Sequence, residues 1–195
     1  MEDFSFYFQW GWSHIVSWDA MDHLLFLLAL TAVYLFENRK QVIILITAFT
    51  IGHSLTLALS IYDKIHFKST WVEFLIPVTI VIAASLNFFR KDFENKQQGF
   101  KYLLTMIFGF IHGMGFSGII KMTLAKSQHI ALPLLSFNIG IEAGQIVVVF
   151  IILLTSQIVV HQLGFKRKWW VWLLSGVSLL GGLYFALTRI LQLES

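Results

Sequence analysis

Six apolar runs, at residues 20–36, 41–61, 71–89, 102–120, 130–160 and 169–191, follow one another along this chain with only short polar breaks between them. Most are close to the roughly 20 residues that a helix needs to cross the hydrocarbon core of a bilayer. Lipid leaves such segments few alternatives, because every backbone polar group must be paired internally, and helices do this within a single segment. The balance of residues agrees: 57% are apolar and 13% charged, the latter about half the share usual in a soluble domain. The expected fold is therefore an all-α integral membrane protein, one domain over residues 1–195 folded as a single bundle of about six transmembrane helices.

The polar breaks set the orientation. Arg39 and Lys40, then Arg90, Lys91, Lys96 and Lys101, then Lys166, Arg167 and Lys168 fall on one side, while Lys64, Lys68, Lys121, Lys126 and Arg189 fall on the other. The positive-inside rule places the richer set in the cytoplasm and both termini outside. Trp10, Trp12, Trp18 and Trp71 then form an outer aromatic belt, and Trp169, Trp170 and Trp172 an inner one. The net charge of +3 resides in these loops and sets orientation, so no nucleic-acid partner is expected. The opening MEDFSFYFQW lacks the basic start and small-residue cleavage site of a secretory signal, and the first span is expected to be retained. Residues 1–19, rich in aromatic side chains and too short to cross, are expected to lie along the outer interface. Pro77 falls inside the third run and predicts a kink.

Polar residues interrupt four of the runs at similar predicted depths. Asp22 and His23 sit within the first turn of the first run, and His53 lies about twelve residues, or roughly 18 Å, up the second. His112 reaches a comparable height in the fourth run, and the fifth carries Asn138, Glu142 and Gln145 at i, i+4 and i+7, on one helix face. An ionisable group inside a membrane span is by default a functional-site hypothesis. A lone histidine there is often only a hydrogen-bonding link between helices, worth roughly 1 kcal/mol. Four helices contributing to one layer favour a shared ligand instead. Glu142 sharpens the point, because no lysine or arginine occupies the middle of a span to neutralise it. The expected metal ligands are thus drawn from Asp22, His23, His53, His112 and Glu142, with Asn138 and Gln145 as supporting polar groups.

His14, in the interfacial segment, either folds over this site as a further ligand or sits among lipid headgroups. Asp19 and Glu73 are read as solvated at the outer rim, where their charge would draw cations toward an entrance. His66, His129 and His161 fall in or near loops and are given no role. The chain has no cysteine, which leaves imidazole, carboxylate and amide oxygen as donors and fits a nickel, cobalt or zinc ion. Gly109 with Gly113, and Gly140 with Gly144, are small-residue pairs expected to let helices approach closely, with Gly115 and Gly118 extending the effect.

The strings SHIVSWDAMDHLLFLLAL, FTIGHSLTLAL, FGFIHGMGFSG and FNIGIEAGQ, in this order over roughly residues 11–150, resemble the HupE/UreJ family of small bacterial membrane proteins. The resemblance implies association with uptake of nickel, or in some members cobalt, across the bacterial inner (cytoplasmic) membrane. It also implies that the family's essential Asp-His element falls on Asp22 and His23, with His14 as the upstream histidine.

Two functions compete at this point. The leading one is a permease for a divalent cation, in which water on the ion is replaced by imidazole and carboxylate; the bilayer and the cation are then its only expected partners. The polar path below Glu142 is sparse, with Asn87, Thr47 and Thr105 scattered along it. The alternative is an intramembrane zinc-type hydrolase opening to the outer leaflet, with His23, His53 and His112 as ligands and Glu142 as the catalytic base.

Overall fold

The computed structural model describes residues 2–62, 64–65, 68–90, 98–124 and 130–191. His66, His129, Lys91, Lys96 and Lys126, and the side chains of Asp19 and Lys121, lie outside what is described. Among the described residues the chain is all helical: α1 Glu2–Val16, α2 Met21–Thr31, α3 Arg39–Ile61, α4 Ser69–Phe88, α5 Gln98–Leu124, α6 Ala131–Gln157 and α7 Arg167–Leu191. Short 3-10 turns at Trp18–Ala20 and Phe36–Asn38 flank α2, and α6 ends in a π turn over Ile158–Gln162.

Among the described residues five helices, α3 to α7, are long and apolar enough to cross a membrane. The first apolar run is not among them. Its helix, α2, has 11 residues, which at 1.5 Å each spans only about half of the hydrocarbon core. The preceding segment is helical as well. It forms α1, whose Ile15 is fully buried, and it packs along α6 over most of its length instead of standing alone.

The contacts that draw α1 onto α6 repeat those between α3 and α5. A methyl group on Gly11 would overlap the Phe137 carbonyl, and one on Gly140 would overlap the Phe8 carbonyl. In the other pair, Gly52 faces the Met106 carbonyl and Gly109 the Phe49 carbonyl. Each glycine therefore meets the carbonyl three residues before its partner glycine. Bare Cα hydrogens against carbonyl oxygens let two backbones touch, which is how helices associate in lipid. Gly113 against His53, and Gly144 against Ile15, extend the two seams. Gly115 packs on Ile76, whereas Gly118 has nothing within 4 Å and plays no part.

Contacting positions rise together in both glycine seams, so α1 runs with α6 and α3 with α5. α4 runs against α5, with Gly115 near Ile76 and His112 near Thr79, and against α7, where Asn87 bonds Ser175 and Arg189 bonds the Glu73 carbonyl. α2 also runs against α7. Its start lies at Arg189, and the carbonyl of Val33, just past its end, accepts from Arg167. α1 and α2 consequently point the same way, two halves separated by the turn at Trp18–Ala20. Below that break the bundle is dry. Leu25, Phe26, Ala29, Phe49, Ile80, Ala83, Ala84 and Phe108 form one buried cluster.

Candidate metal site

The interruption between α1 and α2 brings three helices' histidines together. One ring nitrogen each from His14, His23 and His53 lies within 4.8 Å of the other two. Nitrogen donors at about 2.0–2.1 Å from one ion sit about 3–3.5 Å apart, so roughly an ångström of side-chain movement would let the trio share it. His112 adjoins the trio, its ring centroid 5.1 Å from that of His23. His23 and His112 are 5% and 1% exposed and His53 is fully buried.

Two of the imidazoles, His23 and His112, have a donor state set by a hydrogen bond. Asp22 Oδ1 accepts from the His23 backbone N–H at 2.8 Å and faces His23 Nδ1 at 3.0 Å. An Nδ1–H donated to the carboxylate leaves the lone pair on Nε2, which is buried with no partner. Thr79 does the same for His112. Its one hydroxyl proton goes to the Ile76 carbonyl at 2.7 Å, and the oxygen then accepts from His112 Nε2 at 2.9 Å. The lone pair is left on His112 Nδ1, also buried and unpartnered. A hydrogen bond to the far ring nitrogen is how metal-binding histidines are oriented and made more basic. His14 Nε2 and both nitrogens of His53 are likewise buried with no well-formed hydrogen bond, and the Asn138 side chain neighbours His53, so that an N–H directed at Asn138 would leave the other His53 nitrogen its lone pair.

Buried polar atoms are nearly always hydrogen-bonded, to protein or to ordered water, and a cluster that is not needs an explanation. Such nitrogens on α1, α2 and α3 come together here, with His112 of α5 adjoining them, beside the side chains of Asn138 and Gln145 of α6. Aromatic rings close the site around them. Phe116 lies 4.2 Å from the His14 ring and stacks on Phe137 at 5.1 Å. On the other side Phe26 and Phe49 lie 5.0 and 5.2 Å from His112. A cavity of about 300 Å³ adjoins the histidines, lined by His14, His23, His112, Asp22, Glu73 and Arg189 among others.

The remaining polar residues are placed differently. Glu142 accepts from Thr47 at 2.6 Å, so the carboxylate that lacked a partner in the sequence finds one on α3 and is not part of the histidine trio. Gln145 accepts from Thr50 at 3.0 Å, and Asn138 donates to the Leu134 carbonyl at 2.7 Å. Asp22 has one oxygen committed to His23 and the other 3.6 Å from Arg189. Three participants were not singled out from the sequence: Thr79, Phe116 and Arg189. Only Arg189 carried any signal, as a cation near the end of an apolar run.

No curated protein and no solved structure matches the chain. The family model described as HupE / UreJ protein matches residues 1–189, nearly all of it. The four polar strings, the membrane-crossing helices and this match agree: the chain belongs to the HupE/UreJ family of multi-pass membrane proteins.

Proposed function

We propose that this protein carries a nickel- or cobalt-class divalent cation across the bacterial inner membrane, receiving it on His14, His23, His53 and His112. Asp22 orients His23 for that purpose, and Glu142 with Asn138 and Gln145 forms the next polar station along α6. The observation that carries this reading is the approach of His14, His23 and His53 ring nitrogens to within 4.8 Å of one another, with poorly paired nitrogens and His112 beside them. Neutral nitrogen donors suit nickel, cobalt and zinc alike, so the donor set defines the class of ion and not its identity.

In this reading α1 and α2 together make the first of six crossings. A helix broken beside a binding site is a recurrent device in transporters, since it frees side chains at mid-depth without exposing backbone to lipid. Both termini and the cavity face outside, and the basic clusters around Arg39, Arg90 and Arg167 face the cytoplasm. Phe26, Phe49 and Phe108 close the path below the histidines, so release requires those rings to part.

The hydrolytic alternative needs a free carboxylate beside the open position of the ion. Glu142 bonds Thr47 and does not line the cavity. Of the carboxylates that do, Asp22 is engaged by His23 and Glu73 accepts from Ser69 at 2.6 Å. That arrangement favours carriage of the ion over hydrolysis. The test is nickel uptake into liposomes containing the purified protein, with metal content measured in parallel. The unmodified protein is expected to bind and transport, and the His53→Ala/His112→Ala variant to do neither. Bound metal without uptake in the unmodified protein would overturn the carrier reading.

A further inference from the structure

A cation site does not call for an arginine, yet Arg189 lines the same cavity as the histidines. Its position is built, and the sequence shows how. Pro77 has no N–H, so the carbonyl four residues earlier in α4, that of Glu73, loses its helical donor. Arg189 takes that place, donating from Nη1 to the Glu73 carbonyl at 2.7 Å. Nη2 is thereby held 3.6 Å from Asp22 Oδ2, near enough for attraction but longer than a hydrogen bond. A guanidinium has five N–H donors in a planar fork. The Glu73 carbonyl occupies one of them, and the Phe185 ring lies 5.8 Å away.

Charge makes the same point from another direction. Imidazoles bind a metal in their neutral form. A divalent ion placed on the histidines adds two positive charges to a cavity where Asp22 is already balanced by Arg189. Even with Glu73 counted in full, the loaded cavity is cationic, and at its buried end, where His23 and His112 are 5% and 1% exposed, excess charge is screened little and favours an anion beside the ion. Space for a compensating group is present. The cavity of about 300 Å³ corresponds to about ten water volumes, enough for a small di- or tricarboxylate beside an ion.

The geometry points to Arg189 as the receptor for an anionic companion of the ion: the protein takes its metal as a chelate with a small carboxylate, the ion on the imidazoles and the carboxylate on the guanidinium fork. The fork matches a carboxylate with two parallel hydrogen bonds, which an ammonium cannot do. The inference deepens the metal-carrier reading and rests on it.

Purified protein in neutral detergent, stripped of metal, tests it with nickel chloride alone and with nickel plus an equimolar amount of radiolabelled citrate. Citrate should be retained only when nickel is present, in equal amount to the nickel. Arg189→Gln should weaken citrate retention by about tenfold or more while binding nickel chloride at least as tightly, because it removes a positive charge from beside the ion. That second measurement also certifies that the variant is folded. Arg189→Lys, which keeps the charge but loses the fork, should recover only part of the citrate. Retention of nickel without citrate, or citrate retention unchanged in Arg189→Gln, would overturn this inference and leave the metal site standing. Failure of the unmodified protein to bind nickel chloride would instead overturn the metal site, and this inference with it. A third arm adds anionic phospholipid: if lipid enhances nickel binding and excludes citrate, the companion is a headgroup and the carboxylate assignment falls.

Discussion

His53 and Asn87 are polar side chains on apolar helices, 0% and 4% exposed, and the bundle treats them in opposite ways. Asn87 donates to the Ala29 carbonyl at 2.8 Å and to Ser175 at 3.0 Å, tying α4 to α2 and α7. Neither ring nitrogen of His53 makes a hydrogen bond of good geometry, and its polar neighbour is the side chain of Asn138. The same contrast extends to their surroundings: near Asn87, Trp170 donates to Ser156 and Arg167 to the Val33 carbonyl, whereas the nitrogens near His53 are left bare. Burial alone therefore does not mark a functional polar residue in lipid. A paired group is a link between helices, whereas several weakly paired ones gathered at one place, as at His14, His23, His53 and His112, are a candidate site for something that is not protein.

That contrast can be broken most decisively at the histidines. His23→Ala with His53→Ala is expected to lower metal affinity by about 100-fold or more, a larger loss than removal of a group that merely orients a ligand. Stability of the metal-free form should fall only modestly, the loss of the Asp22–His23 hydrogen bond and the space left by two rings being partly offset by removal of poorly paired nitrogens. Metal content and thermal unfolding of the stripped protein check both halves, and a large loss of stability would assign the histidines to structure. Asn87→Ala should reverse the pattern, with metal content unchanged and stability lowered by about 1–3 kcal/mol. Its melting temperature beside that of the unmodified protein decides the matter.

Thr79→Val sharpens the comparison within the site. The Ile76 carbonyl loses a second donor, but the larger effect is that His112 loses the acceptor that fixes its ring. Metal affinity should fall by about tenfold with little change in unfolding, read by competition against a metal indicator. An unchanged affinity would remove His112 from the site. The smallest effect belongs to Gly118, which has nothing within 4 Å. Gly118→Ala should leave metal binding intact and stabilise α5 by up to about 1 kcal/mol, whereas alanine at Gly52 meets the Met106 backbone and should destabilise the fold.

The helices and three of the histidines were legible because each signal is local. An apolar run is visible within 20 residues, and His23, His53 and His112 stand out inside theirs. His14 was harder, since its segment is too short to span and resembles an interfacial helix. What draws it inward is Gly11 meeting Phe137, a contact between positions 126 residues apart. Gly11 lacks a small residue four positions away and Gly52 has only Ala48 and Thr56, and the folded seam reveals them. Glu142 misled for a similar reason. A sequence shows that no basic residue shares its span, but a threonine hydroxyl 95 residues earlier carries no sign of the carboxylate it will meet. Arg189 needed two such facts together, the carbonyl freed by Pro77 and the position of α7 against α4.

X-ray absorption at the nickel edge of the loaded protein tests the central claim most directly. Imidazole rings scatter in a characteristic way, and the account predicts a nickel ion bound to three or four of them, with the signal lost or rearranged in the His53→Ala/His112→Ala variant. A spectrum showing only oxygen donors, or one unchanged by that double substitution, would contradict it.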